Sequence, residues 1–183
     1  INAEVDFIWE AYLNVKGGRH HGESTTINGD SELLVPLDEV ENLNVNVFGG
    51  SDRVRITRVH LPGDIDLNLG DGYVNSLSLY DVMASNISID GGNGRDLVRL
   101  SRTLTDTLSI DTYDGRDTVR LTRTNVGEQT DIWLGSDNDF IKLYRSDLDG
   151  YSRLDGGEGR FDWIYARYSD FEGDLLNFEW EHI

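Results

Sequence analysis

One phrase recurs six times between Phe48 and Arg167. The acid or amide at its centre steps through Asp52, Asn75, Asp96, Asp117, Asp139 and Asp162 at intervals of 21 to 23 residues. The fullest copy reads Gly91-Gly92-Asn93-Gly94-Arg95-Asp96-Leu97-Val98-Arg99-Leu100, and Gly49 to Ile56, Gly70 to Leu77, Asp114 to Leu121, Gly135 to Leu143 and Gly156 to Tyr165 vary it. A period of this size denotes stacked units, each too small to bury its apolar face alone.

Each unit divides into two alternating segments and two turns. In residues 106–129, Thr107-Leu108-Ser109-Ile110 and Thr118-Val119-Arg120-Leu121-Thr122 alternate with period two, as half-buried strands do. Asp111 to Asp117 and Asn125-Val126-Gly127 punctuate them. A helix is excluded, because Gly or Asp interrupts the pattern before a helical face could form. Val54, Leu77, Val98, Val119, Ile141 and Ile164 stack as one apolar column, with Ile56, Leu79, Leu100, Leu121 and Leu143 beside it. The facing wall is expected to hold Val45, Leu67, Ile87, Leu108 and Ile132, then Val47, Leu69, Ile89, Ile110 and Leu134. The spacing predicts an all-β, right-handed parallel β-solenoid of about six coils, two strands per coil, rising about 4.8 Å per coil. Residues 43–168 form the repeats, 1–42 an N-terminal cap with an irregular first coil at Leu33 to Leu37, and 169–183 a C-terminal cap.

Gly91 to Arg99 matches the nonapeptide G-G-x-G-x-D-x-U-x, with Val98 at the U position. On this motif the chain resembles the RTX (repeats-in-toxin) calcium-binding β-rolls. The resemblance implies Ca2+ held by turn carbonyls and carboxylates, an extracellular or cell-surface setting, and an adhesive or structural role. Carried onto this sequence, the ligand set is Asp52, Gly91, Asn93, Asp96, Asp114, Asp117, Asp137, Asp139, Gly157 and Asp162. The chain departs from the family in its longer coil, in carrying the motif on one edge alone, and in the glycines lost around Thr112-Tyr113-Asp114. A second reading of the same residues is a metal-free ladder in which each Asp or Asn bonds its turn backbone, with Arg95, Arg116 and Arg160 offsetting the charge.

The net charge is -18, with 16 Lys and Arg against 34 Asp and Glu. Such a balance disfavours nucleic acid as a partner. Yet the cations are ordered. Arg55, Arg99, Arg120 and Lys142 occupy one outward repeat position, and Arg58, Arg102, Arg123 and Arg145 occupy another, three residues on, where the chain turns out of the sheet. Two readings stand: charge balance with Asp106, Asp131 and Asp147, or a face for an extended polyanion such as an acidic polysaccharide or cell-surface glycan, since guanidinium forks grip carboxylates. Trp133, Tyr144, Trp163 and Tyr165 face outward in the last coils, either to stack on sugars or to pack beneath the C-terminal cap.

No apolar run approaches the roughly 18 residues a membrane helix needs, Cys is absent, and the first residue, Ile, suits one module of a larger protein. His20 and His21 fall in a Gly-rich segment and read as a solvated loop. No P-loop, dinucleotide fingerprint or nucleophile-base pairing is present. With that resemblance, the reading is an extracellular calcium-binding repeat module with a structural or adhesive role. Binding of acidic polysaccharide through the outward Arg ladder is a second class, and a small parallel β-helix polysaccharide lyase or hydrolase is the alternative.

Overall fold

Alternating β-branched and polar residues between Gly/Asp turns produce strands and no helix among the described residues, which are 2–6, 12–16, 24–27, 33–36, 41–47 and 50–182 of the computed structural model. The strands are β1 (Asn2–Asp6), β2 (Tyr12–Lys16), β3 (Ser24–Ile27), β4 (Leu33–Pro36), β5 (Asn42–Asn46), β6 (Arg53–Thr57), β7 (Ile65–Asn68) and β8 (Val74–Asp90). They continue as β9 (Arg95–Asp111), β10 (Thr118–Thr122), β11 (Asn125–Trp133), β12 (Phe140–Tyr144), β13 (Asp147–Asp155), β14 (Trp163–Arg167), β15 (Asp170–Leu176) and β16 (Trp180–His182).

Two parallel walls result. The front wall stacks β2, β6, the first part of β8, the first part of β9, β10, β12, β14 and β16. The back wall stacks β1, β5, β7, the last parts of β8 and β9, then β11, β13 and β15. The whole is a parallel β-solenoid of about six turns, each of about 22 residues. Beyond β2, β3 and β4 pair antiparallel to one another and β3 to β2. Leu33 to Pro36 is thus one strand of an antiparallel pair rather than a coil, and β1 and β2 supply the rungs that precede β5 and β6. Leu37 and the segments 7–11 and 17–23, with His20 and His21, lie outside the described residues.

The front wall keeps the register read from the sequence: Val54, Leu77, Val98, Val119, Ile141 and Ile164 pair in succession. The back wall corrects it. Leu67 pairs with Ile89, not Ile87, and Leu108 with Thr130, not Ile132. The observed columns are Leu43, Ile65, Ile87, Leu108, Thr130, Ser152 and Gly173, and Val45, Leu67, Ile89, Ile110, Ile132, Leu154 and Leu175. A shift of two residues leaves every side chain on its own face, so alternation alone cannot detect it. The first of these columns shrinks along the axis from Leu to Ser and Gly, so the core narrows toward the C-terminus. There Phe171, Leu175 and Phe178 pack against it.

One residue makes the corner out of the front wall in each coil. Arg58, Asp81, Arg102, Arg123, Arg145 and Tyr168 all hold a left-handed backbone with φ between 52° and 58°. This inverts side-chain parity and lets the strand turn without a loop. Beyond it runs a short third side whose inward position passes from Val59 and Val82 to Thr103, Thr124 and Ser146, all buried. Hydroxyls link successive coils there: Thr124 N–H donates to Ser146 Oγ at 3.2 Å and Ser146 N–H to Ser169 Oγ at 3.1 Å.

Candidate functional site: an acid column and a cationic face

The repeat's key acids lie inside the turn edge rather than on it. Asp52, Asn75, Asp96, Asp117, Asp139 and Asp162 are 0 to 2% exposed. Four of the side chains reach toward the previous coil: Oδ1 of Asn75 accepts Asp52 N–H at 3.0 Å. Oδ1 of Asp117, Asp139 and Asp162 accepts the N–H of Asp96, Asp117 and Asp139, each at 2.7 Å. Glu179 ends the column by accepting Asp162 N–H. The ladder therefore bonds coil to coil, whereas the metal-free reading of the sequence had each acid bond its own turn. Own-turn bonds belong to a neighbouring column, where Asn68, Asp111 and Asp155 accept the N–H of Gly70, Tyr113 and Gly157, two residues on.

The second oxygen of each acid explains the electrostatics. Oδ2 of Asp96, Asp117, Asp139 and Asp162 is buried with no hydrogen-bond partner. Asn75 reveals what stands opposite, because its Nδ2 donates to the carbonyls of Gly70 (3.0 Å) and Gly91 (3.4 Å). Where Asp replaces Asn, the side chain has no amide hydrogen to donate. Burial accordingly drives the carboxyls up, Asp96 and Asp139 to about 8 and Asp117 to about 7, and raises Asp162 too. The Asp117 charge adds to the rise at Asp96, while nearby Asn75, outside good hydrogen-bond geometry, eases it.

Hard oxygens of this kind suit calcium in type. In number they fall short in the geometry present: two unpartnered carboxylate oxygens at Asp96 and one each at Asp117, Asp139 and Asp162, against the roughly six to eight oxygens calcium takes. No group of three or more His, Cys, Asp or Glu side chains converges among the described residues. Of the remaining residues of the sequence-derived ligand set, Gly91 borders this column, while Asn93, Asp114 and Asp137 lie in the turns outside it. Asn93 caps Asp71, its N–H and its Nδ2 each 2.9 Å from Asp71 Oδ1. Asp114 accepts Ser136 Oγ–H at 2.7 Å at the exposed turn tip. Asp137 is exposed at φ 80°, in the turn position that Gly115 fills one coil earlier. Gly91 lies against Asp96, where a Cβ would come 2.4 Å from Oδ2, and Gly157 packs on Gly135 of the preceding coil.

The front face is a cationic surface. Residues 53–57, 76–80, 97–101, 118–122, 140–144 and 163–167 contain no Asp or Glu, yet carry Arg53, Arg55, Arg99, Arg120, Lys142 and Arg167. Arg55, Ser78, Arg99, Arg120, Lys142 and Tyr165 pair in register as one outward column. Burial and the neighbouring Arg120 charge lower Arg99 from its ordinary value. Ion pairs among the described residues are His60–Asp81 and Arg153–Asp155, and neither uses this face. Asp106, Asp131 and Asp147 form no ion pair with the corner arginines among those residues. Tyrosines take up some of the charge: Arg102 lies 5.4 Å from the Tyr80 ring, Lys142 5.4 Å from Tyr165 and Arg145 5.3 Å from Tyr144. The back wall is the reverse, presenting Asp66, Asp90, Asp111, Asp131, Glu172 and Asp174 outward with Arg153 among them.

Trp163 stays 49% exposed on the front face, its strand extended by β16 rather than covered by it. Trp133 lies on the back wall, edge-on to Tyr113 at 6.1 Å.

No family model, no curated protein and no solved structure matches the chain. The class defined by fold and surface is a parallel β-solenoid with a cationic front, an anionic back and a column of buried acids along one edge. No helix among the described residues is long and apolar enough to cross a membrane.

Proposed function

We propose that the chain is an extracellular, non-catalytic module that binds acidic polysaccharide along its front wall. The observation that supports this is a face whose residues 53–57, 76–80, 97–101, 118–122, 140–144 and 163–167 carry no Asp or Glu, on which Arg55, Arg99, Arg120 and Lys142 share one in-register column and form no ion pair among the described residues. Charge balance would place acids among them, and the acids lie on the other wall. Arg99, Arg120 and Lys142 present one cation on each of three successive rungs about 4.8 Å apart, with Arg55 two rungs before Arg99 beyond Ser78, which suits a polymer carrying one charge per sugar ring. Arg58, Arg102, Arg123 and Arg145 extend the same field at the corner. Bidentate guanidinium pairing favours carboxylates and sulfates.

We infer further that the chain is kin to RTX β-rolls, with calcium as the candidate ion at the acid column. The acid column needs positive charge opposite its free oxygens, and calcium or one proton per carboxyl supplies it. Melting in calcium and in chelator separates them: a higher midpoint with calcium assigns the ion, and no difference assigns the proton. The function is tested by retention on immobilised polyuronate, sulfated polymer and neutral polymer. Retention on the charged matrices that falls with added salt is expected, and equal elution from all three would sink the reading. Unsaturated sugar products absorbing in the ultraviolet would instead make the protein a lyase.

A further inference from the structure

Where the turn edge meets the front wall, a cleft of about 360 Å3 opens in the last coils. Its lining combines two chemistries. Arg95 and Arg116 stand one above the other, because Asp96 and Asp117 beside them are bonded in register. Phe140 and Trp163 pair in the adjacent column, and Phe161 stands two residues before Trp163, on the same side of the chain. Phe161 and Trp163 are 57% and 49% exposed. Asp117 and Asp139 also border the cleft, but their carboxyls point into the core, 1% and 2% exposed.

The aromatic side is held in place. Asn138 Oδ1 accepts the N–H groups of Arg160 (3.2 Å) and Phe161 (3.0 Å), fixing the turn that carries the Phe161 ring. Rings that cost little to order, beside two guanidiniums that no ion pair engages among the described residues, make a site for a ligand with both a flat face and a negative charge.

We propose that this cleft is the subsite seating one sugar of the polymer, a uronic acid ring. Phe161 and Trp163 stack on its apolar face, Arg95 and Arg116 clasp its carboxylate and that of the next ring, and Asn138 Nδ2 donates to a hydroxyl. The volume lies in the range of small-molecule sites and accepts a pyranose ring, not a nucleic-acid helix. This rests on the polysaccharide reading and sharpens it, because it places affinity at one end of the face instead of spreading it along the ladder.

The test is titration of the intact chain with a short oligouronate, its carboxyl-reduced neutral counterpart and a single-stranded polynucleotide, read by calorimetry and tryptophan fluorescence. The oligouronate is expected to bind and shift the emission, and Trp163→Phe should abolish most of the shift. Arg116→Gln should weaken binding about tenfold, Arg116→Lys less, and Arg55→Gln less than twofold. Melting midpoints of the variants report whether each still folds. Equal losses from Arg55→Gln and Arg116→Gln, with emission unchanged, would overturn the cleft while leaving the face intact. Absence of oligouronate binding with retention of the long polymer does the same. Failure to bind either overturns both. Tighter binding of the polynucleotide would overturn the sugar assignment.

Discussion

Asp117→Asn tests the buried column most directly. In the folded chain Asp117 Oδ1 accepts Asp96 N–H at 2.7 Å, while Oδ2 has no partner and the carboxyl is held up to about 7 from 3.8. The sign follows from linkage. Below pH 3.8 the acid is protonated in both states and contributes no pH-dependent penalty. Between pH 3.8 and about 7 folding takes up a proton, so stability falls as pH rises, and above about 7 the full penalty is present. A shift of that size corresponds to about 4 kcal/mol, and relaxation of the site reduces it to about 2 kcal/mol. Asn keeps the Oδ1 acceptor and supplies an Nδ2–H for turn carbonyls, as Asn75 already does two coils earlier in the column. We therefore expect Asp117→Asn, in chelator at pH 8, to be about 2 kcal/mol more stable than the parent, a rise of about 4–8 °C in Tm for a domain of this size. At pH 3.5 the two should melt together. Asp117→Ala should be less stable than the parent at pH 3.5 and less stable than Asp117→Asn at both pH values, because Asp96 N–H loses its acceptor. Thermal melts at the two pH values, with and without calcium, supply the measurement. Loss of stability by Asp117→Asn at pH 8 in chelator would refute the orphaned-oxygen argument. Gain in chelator but loss in calcium would show that the carboxylate serves the ion.

Three further outcomes are expected. Arg123 holds φ 53° at the corner, so Arg123→Gly should raise stability by up to about 1 kcal/mol and Arg123→Val lower it, checked by chemical denaturation. Gly94 has φ 122°, and a Cβ there would lie 1.7 Å from Gly72 O. Gly94→Ala should accordingly lower stability by about 3 kcal/mol or more, read from the same denaturation curves. Arg120→Glu places a carboxylate beside Arg99 and Lys142 in the outward column; retention on polyuronate should fall and elute at lower salt, with the melting midpoint little changed.

Much of the architecture is legible in the sequence because a repeat multiplies every local signal. The front-wall columns were readable residue by residue, since each is flanked by an acid and a corner at constant distance. The back-wall register was not, because alternation is blind to a slip of two. The corner column was legible as a break in parity, but its cause, a left-handed Arg in coil after coil, is a backbone property that the side chain does not advertise. The acids were found and their surroundings were not: composition cannot tell a carboxylate at a turn surface from one pointing into a core. Nor could spacing foresee Glu179 ending the column or Phe161 meeting Arg95 and Arg116 across three coils.

The sequence by itself determines the solenoid. Period-two alternation fixes the strands, glycine and aspartate fix the turns, and an interval of 21 to 23 residues leaves stacking as the way to bury two apolar stripes. The tertiary structure decides which wall each charge faces and how far each acid is withdrawn from water. Those are set by coil-to-coil register, and register depends on hydrogen bonds between residues about 22 positions apart. A cationic face on a chain of net charge -18 exists only once stacking has sorted the acids to the other side and the edge.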